Sequence, residues 1–514
     1  MPIPTFSAFQ TASRALSANQ TLLSVTGNNI ANVNTEGYTR QRVDLTSLSL
    51  TSTNQKFANT NNTSSSEGVQ ATGVSQIRDT FLDARYRTEN SDNGMCTTLS
   101  SGLSDLESIV DEIDSDGLQT QLSDFADKLQ SLSETPTDED IALTVKTSAQ
   151  SLTSILNSYS QQVTEVRDQA IYDLDKAVVS DFNSTVESIA NLNTQIKEEE
   201  INGSTPNELL DKRNTLIDEL SNIAKIKVTT SPEKISDNIS VENLSISLYD
   251  ESKGVNISLV ENGQFSMISL NTEGDTAKIE LTSAIDDHDT DITDHFTSGS
   301  IKGYLDIING EGSYADISSG GNDYRGTLYY QNALDTFAST FANTFNKLND
   351  TNTTDTLDAP LFASSVGGVI TAANLTISTD WQDNTNAINA KAYNASDGDN
   401  TNVLLMIDAL EGDTSFYQED GSTLMFTGTF SDYMTGVVAE LASDITLNED
   451  YQDTSDTVLT SLSDSRNSVS GVSLDEEGVN LLAYQKSYNA AARYMTVLDE
   501  IMDKLINETG VVGR

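Results

Sequence analysis

Near the start of the chain, apolar residues fall seven apart at Phe9, Leu16, Leu23 and Ile30, with Ala12 and Val33 on a row three residues later. This spacing predicts a helix with a heptad seam. Asn19 and Thr26 share the second row, so the seam is mixed, and Gly27 with the asparagines after it predicts fraying and turns instead of continued helix. The far end repeats the pattern more strongly. Leu474, Leu481, Tyr488, Met495 and Met502 form one row there, and Tyr484, Ala491, Leu498 and Leu505 lie three residues on. A lone helix cannot collect the ~1.5–3 kcal/mol that each buried Leu-class side chain offers. Both ends are therefore expected to gain order by packing on each other and on neighbouring copies.

Between the ends the period is that of amphipathic helix over residues 97–132 and 141–197, with Leu152, Leu156, Tyr159, Val163, Val166, Ala170, Leu174, Val178 and Phe182 on one face. The second stretch would run about 85 Å if unbroken. "TPNELLDKRNTLIDEL" restarts a helix, with Thr205 expected as N-cap, Pro206 in the first turn and Glu208 completing a capping box. At Lys225 the period switches to two, and Asn262-Gly263 between strand-like runs predicts a hairpin. Helix returns at 324–349, where Phe337, Phe341 and Phe345 stand one turn apart. A polar, strand-leaning stretch covers 351–426, and Phe430–Val469 is helical again.

The fold class is thus mainly α with inserted β: terminal coiled-coil-like helices, a long-helix bundle and an inserted β-rich outer domain. The nesting predicts a terminal core from 1–90 plus 470–514 and a bundle from 91–225, 311–350 and 427–469. The β domain is expected over 226–310, and 351–426 attaches to the bundle or the outer domain.

Charge sharpens this picture. The chain has 514 residues and a net charge of −50, with 36% hydrophobic residues, enough for genuine cores. Residues 1–42 hold three arginines against one glutamate, and 474–514 hold four basic against seven acidic side chains. Residues 43–473 consequently carry −49 of the total. Such a surface repels phosphate backbones and anionic lipid, which excludes nucleic acid and membrane as expected partners. No run of about 18 apolar residues spans a bilayer, and the start lacks the basic and apolar regions of a cleaved secretory signal. The single Cys96 reads as a structural thiol.

Candidate chemistry is sparse. "DDHDTDITDH" gathers Asp286, Asp287, His288, Asp289, Asp291, Asp294 and His295, but without metal-ligand spacing it reads as a solvated acidic loop. The run from Asp397 opens like a calcium loop, yet Asn402 stands where Gly is required and Asp408 where Glu is required. No phosphate loop, dinucleotide turn or nucleophile elbow is present, and both histidines lie in the acidic run. Met495 and Met502 read as seam residues, not ligands. No catalytic, cofactor or metal residue is assigned.

"SVTGNNIANVNTEGYTRQRVDL" (24–45) resembles the N-terminal signature of flagellar rod, hook and hook-associated proteins, carried by Asn28, Asn29, Ile30, Ala31, Asn32, Asn34, Thr35, Gly37, Tyr38 and Arg40. "SVSGVSLDEEGVNLLAYQKSYNAAARYMTVLDEIMDKLIN" (468–507) is similar to that group's closing helix. Its lead-in, with 205–221 and 336–349, resembles the hook-associated protein 1 family in particular. The resemblance implies a non-enzymatic, extracellular subunit of the bacterial flagellum at the hook–filament junction, exported by the type III route without a cleaved signal. It implies as partners the hook protein, a second junction protein, an export chaperone and further copies of the chain in a ring. The seam and signature residues would be the assembly surface, and the C-terminal row from Leu474 to Leu505 the chaperone's target. Competing readings are another axial protein, hook or distal rod, and a secreted calcium-binding adhesin.

Overall fold

The computed structural model describes residues 5–48, 68–115, 117–236, 239–250, 253–274, 276–285, 289–316, 321–350, 360–384, 387–392, 395–418 and 421–507. Helix α1 (Thr5–Ala31) leads into strands β1 (Gln41–Ser47) and β2 (Val69–Gln76). Helices α2 (Thr80–Ser115), α3 (Leu118–Glu134), α4 (Glu139–Asp173), α5 (Ser180–Ile201) and α6 (Asn207–Ile223) follow. Strands β3 (Ile226–Ser236), β4 (Ile239–Asp250), β5 (Val255–Glu261), β6 (Gln264–Glu273), β7 (Thr276–Ser283) and β8 (Asp289–Asp291) come next. Then come α7 (Ser300–Asn309), α8 (Thr327–Asn349), β9 (Phe362–Ser364), β10 (Leu375–Ile377), α9 (Thr401–Glu411), β11 (Thr414–Tyr417), β12 (Leu424–Gly428), α10 (Phe430–Ser470) and α11 (Leu474–Asn507). The chain is mainly helical with inserted antiparallel sheet.

Nesting governs the packing. The first helix lies on the last, α1 on α11, and the second lies on the second-last, α2 on α10. The C-terminal seam falls where its heptads predict. Leu498 is buried, and Leu481, Tyr484, Tyr488, Ala491, Met495 and Met502 are half-buried, whereas Leu474 and Leu505 at its two ends are exposed. On α1 the seam is rotated from its expected row. Ala8, Ala12, Ala18, Val25, Thr26 and Asn29 are buried, Leu16, Leu23, Ile30 and Val33 are half-buried, and Phe9 is exposed. Small side chains let the helices approach closely: Ala8 and Ala12 pack with Leu498 and Met495. Nor does α1 fray at Gly27; it continues to Ala31, because the Asn29 side chain bonds a neighbouring strand instead of competing for its own helix backbone.

Helices α4 and α5 are one continuous rod of 63 residues interrupted by a π-helical turn, Leu174–Val179. At ~1.5 Å per residue it spans ~95 Å. Its first half packs on α3 and α8 inside the bundle, and its second half lies on α6 and the sheet. The bundle core is aromatic: Phe125, Phe337, Phe341, Phe345, Phe362 and Phe430 are all fully buried. Asp138 caps α4 by accepting from the Asp140 and Ile141 amides. The capping box expected at Thr205 does not form. Pro206, with no side chain to accept, is the N-cap of α6 and the helix opens at Asn207. A true capping box sits elsewhere, Thr429 with Asp432, at the start of α10.

Strands β3 to β8 form one six-stranded antiparallel meander in chain order. Asn262 (φ 51°) and Gly263 (φ 78°) make the two-residue turn between β5 and β6, the left-handed pair such a tight hairpin requires. The sheet ends at Asp291, and α7 then returns to α2, burying Ile301, Leu305 and Ile308 on one face. The 351–426 region carries two short hairpins and α9, which packs on α3. The buried Lys146 ammonium fixes this region to α4 through the carbonyls of Trp381 and Gln382 and the Asn384 side chain, at 2.8–2.9 Å.

One device recurs where helix meets extended chain. An asparagine amide lies beside a strand and both donates to its carbonyl and accepts from its amide, as a β partner would. Asn183 does this to Ile268 at 2.8 Å each way, Asn309 to Ala277 at 2.7 Å, and Asn346 to Phe362 at 2.8 Å. Asn29 does it to Gln41 at 3.0 Å. Each clip satisfies backbone groups that would otherwise be costly to bury.

Candidate functional site

The Asn-rich segment lies where the terminal helix pair meets the bundle. Asn29, 1% exposed, receives a third bond, from the Tyr38 hydroxyl at 2.9 Å. Burial, then the Asp211 and Glu477 carboxylates, push the Tyr38 phenol up to about 12, so it stays a donor. Gly37 has φ 75°, and a Cβ there would lie 2.4 Å from the Thr215 Oγ1. Glycine is thus required twice, by backbone conformation and by the close approach to α6. Thr39 donates its amide to Asp211 at 3.3 Å, and Gln76 donates to the same carboxylate at 2.8 Å. Burial raises the Asp211 pKa, and these donors only partly offset it.

Arg40 closes the other side. Its amide donates to the Ser470 carbonyl at 2.8 Å, just before the break between α10 and α11. Its guanidinium reaches the carboxylates of Glu476 and Glu477 in the first turn of α11 at 2.8 Å each. Glu477 is only 2% exposed. Below this clamp sits a five-membered ionic cluster. Arg78 pairs with Asp83 at 3.0 Å, Arg466 bridges Asp83 at 3.0 Å and Asp218 at 2.7 Å, and Arg87 holds Asp218 at 2.7 Å. The Arg466 guanidinium also lies 4.2 Å from the centroid of the Tyr86 ring. Burial favours a neutral Asp83, but the Arg78 hydrogen bond and the surrounding arginines outweigh it and hold the carboxyl below its ordinary range. The cluster joins α2, α6 and the end of α10.

The structure divides the expected N-terminal residues into two groups. Asn29, Tyr38 and Arg40 are engaged within the chain, while Asn28 and Asn34 are exposed. Asn32 is half-buried and donates to the Asn28 carbonyl at 3.0 Å. An open cleft of about 840 Å³ runs beside the segment, between Tyr38 and the Leu192 and Leu216 faces of α5 and α6. Sequence reasoning missed Arg78, Asp83, Arg87, Asp211, Asp218 and Arg466. Arg466 lies 248 residues from Asp218 and still farther along the chain from Asp83, and no local spacing marks the cluster.

A second apolar stripe on α11 also escaped it. Val479, Leu482, Tyr494, Val497 and Ile501 are 43–68% exposed. Their spacing puts Val479, Leu482 and Val497 on the side of the helix away from the seam that meets α1, while Tyr494 and Ile501, four residues before and three after Leu498, flank that seam.

The other candidates dissolve. Asp397 is held by Lys391 at 2.8 Å, Asp399 accepts from the Ala392 amide and Thr401 hydroxyl, and Thr401–Glu411 is helix where a calcium loop would continue. Asp286, Asp287 and His288 lie outside the described residues. Among the described residues no three His, Cys, Asp or Glu side chains gather as a metal ion would need, and no helix is long and apolar enough to cross a membrane. Cys96 is buried, and burial with nearby Asp92 and Glu89 raises its thiol pKa.

The terminal helix pair, with the rest of the chain inserted between its members, is matched by models of flagellar axial proteins: residues 9–39 match "Flagella basal body rod protein" and 465–508 match "Flagellar basal body rod FlgEFG protein C-terminal". Residues 103–362 match "Flagellar hook-associated protein FlgK helical domain". Flagellar hook-associated protein 1 of Bacillus subtilis is 32% identical over 99% of both chains. Its namesake in Escherichia coli is 22% identical over 98% of this chain and 99% of the relative. The solved structure of the flagellar hook junction protein FlgK from Burkholderia pseudomallei aligns over 55% of this chain and 45% of that one, at 19% identity and a TM-score of 0.41. The chain belongs to the flagellar hook-associated protein 1 (FlgK) family and is a component of the flagellum.

Proposed function

We propose that this chain is the hook-proximal subunit of the hook–filament junction, a structural protein without catalytic activity that packs its terminal helices into the axial tube. The observation that carries this reading is the outer stripe of α11. A helix that leaves Val479, Leu482 and Val497 exposed outside the seam it shares with α1, and Tyr494 and Ile501 exposed on that seam's flank, needs a second neighbour. On this reading Val479, Leu482, Tyr494, Val497 and Ile501 meet an adjoining copy in a ring. Of the signature and seam residues, Phe9, Leu16, Leu23, Asn28, Ile30, Asn32, Val33 and Asn34 contribute from α1 and the loop. The hook protein lies below and the second junction protein above.

The anionic middle stays hydrated outside the tube. Residues 1–90 with 470–514 act as the terminal core, 91–225 with 311–350 and 427–469 as the bundle, and 226–310 as the outer β domain, with 351–426 on the bundle. Before export, without a cleaved signal, a chaperone takes the row from Leu474 to Leu505, whose middle from Leu481 to Met502 faces α1 in the folded chain, so chaperone and α1 compete for one surface.

Deleting the gene should leave cells with hooks but no attached filaments, and the wild-type gene should restore them. Val497→Asp with Ile501→Asp should lower monomer melting only slightly, because the two residues are 50% and 43% exposed, yet fail to restore filaments. Deleted cells that still carry attached filaments would refute the assignment.

A further inference from the structure

We infer that, within the Asn-rich segment, Asn29 and Arg40 are positioning residues that set the direction in which the terminal helix pair leaves the bundle, while Asn28 and Asn34 face outward. The inference rests on the reading of the chain as an axial subunit only for its biological consequence; the positioning itself belongs to the single chain. Three observations support it. Asn29 is spent on internal bonds: its amide group pairs both ways with Gln41, and its oxygen also accepts from Tyr38. This fixes the first strand against the last turn of α1. Arg40, on the stretch between Tyr38 and that strand, holds the Ser470 carbonyl at the end of α10 and both carboxylates at the start of α11. It therefore spans the break at Gly471 from both sides, and it does so from the segment that Asn29 has already fixed. Finally, apart from the β1–β2 hairpin that packs on α1 and is itself tied to α6 through Gln76, the pair's hold on the bundle is concentrated near the break. α11 buries only Glu477 and Leu498 along its length, and Glu477 is itself the Arg40 partner.

A tube of repeated subunits requires each helix pair to leave its bundle at one angle. Charge-assisted bonds to both sides of the break are short and directional, and so hold the two helix ends in one relative orientation. From Asn28 to Arg40 the segment is uncharged except for Arg40 and Glu36, so its asparagines can be buried as backbone partners without desolvating a charge.

The test uses the full chain carrying Cys96→Ala, with spin labels at Gln485→Cys on α11 and Glu187→Cys on α5, both exposed positions. Pulsed electron resonance on the monomer should give one narrow distance distribution. Asn29→Ala and Arg40→Ala should each broaden it roughly twofold or more, as expected when one orientation becomes several, with far-UV circular dichroism unchanged. Arg40→Lys should recover part of the narrowing, since one ammonium engages a carboxylate without the fork geometry. Asn28→Ala with Asn34→Ala should leave the distribution narrow while weakening filament attachment in cells. A narrow distribution in both Asn29→Ala and Arg40→Ala would overturn the positioning role. Should Asn29→Ala fail to fold, Arg40→Ala decides alone, because its side chain is partly solvated. Broadened distances in a chain whose gene deletion leaves filaments attached would sink the junction assignment and leave the positioning intact.

Discussion

Replacing Phe341 by alanine is expected to cost ~3–5 kcal/mol of stability, the range for removing a fully enclosed aromatic ring. Phe341 is the hub of the aromatic core. Its ring centroid lies 5.9 Å from Phe125 on α3, 6.2 Å from Phe337 and 4.6 Å from Phe345 on its own helix, 5.1 Å from Phe362 on β9 and 5.6 Å from Phe430 on α10. The contacts to Phe362 and Phe430 are edge-to-face, and such pairs add ~0.5–1.5 kcal/mol beyond area burial. The loss falls where segments more than two hundred residues apart close the bundle, so neighbouring side chains cannot fill the space by a local shift. Against a typical total of ~5–15 kcal/mol, the variant should melt well below the wild type. Phe341→Leu, which keeps much of the volume, should fall between them. Urea unfolding followed by near-ultraviolet circular dichroism measures the difference, and a loss under ~1 kcal/mol would show that the ring does not organise the core.

The phenylalanines that make this core were legible because they stand one turn apart in an amphipathic pattern, and the same holds for the C-terminal seam, whose heptads run unbroken from Leu481 to Met502. The turn at Asn262-Gly263 was legible because only a few dipeptides tolerate two left-handed residues in succession. The seam of α1 was displaced for a physical reason. Hydrophobic patterning weights Phe9 and Leu16 alongside Ala12, whereas close helix approach is set by the small Ala8 and Ala12 beside Leu498, which turns Phe9 outward. Asn29 was legible as a residue of the signature, but its bonds within the chain were not. Asparagine near the end of a helix reads as a turn former or a surface group, and only the position of Gln41, twelve residues on, shows that the amide is internal. The ionic cluster left no trace in the sequence, because Asp83, Asp218 and Arg466 are each one charge among many in an acidic chain, and pairing depends on three helices meeting.

That cluster yields the second large effect, and counting its charges decides which member matters most. With three arginines and two carboxylates, removing Arg466 leaves two matched pairs, Arg78 with Asp83 and Arg87 with Asp218. Removing a carboxylate instead strands cations. Asp218→Asn leaves Arg87 with neutral acceptors only, the new amide oxygen and the Asn214 side-chain oxygen at 3.3 Å, and leaves Arg466 sharing Asp83 with Arg78. Breaking a fully enclosed ion pair costs ~3–5 kcal/mol, and the partial solvent access here lowers the expectation to ~2–4 kcal/mol; the Arg87 and Asp218 side chains are 9% and 20% exposed. Arg466→Met, which keeps the packing over Tyr86, should cost less than Asp218→Asn.

The acid limb carries a matching signature. The folded Asp83 titrates below its unfolded value, so it contributes stability that is fully present above the unfolded pKa and is lost as pH falls through the folded one. In Arg466→Met the folded and unfolded values of Asp83 should converge, since one of its flanking cations is gone, and stability should fall less steeply on acidification than in the wild type. Urea titrations at neutral pH and across the carboxylate range measure both effects. Equal losses in Asp218→Asn and Arg466→Met, with parallel acid limbs, would mean that the five groups act as isolated surface pairs and not as one joint.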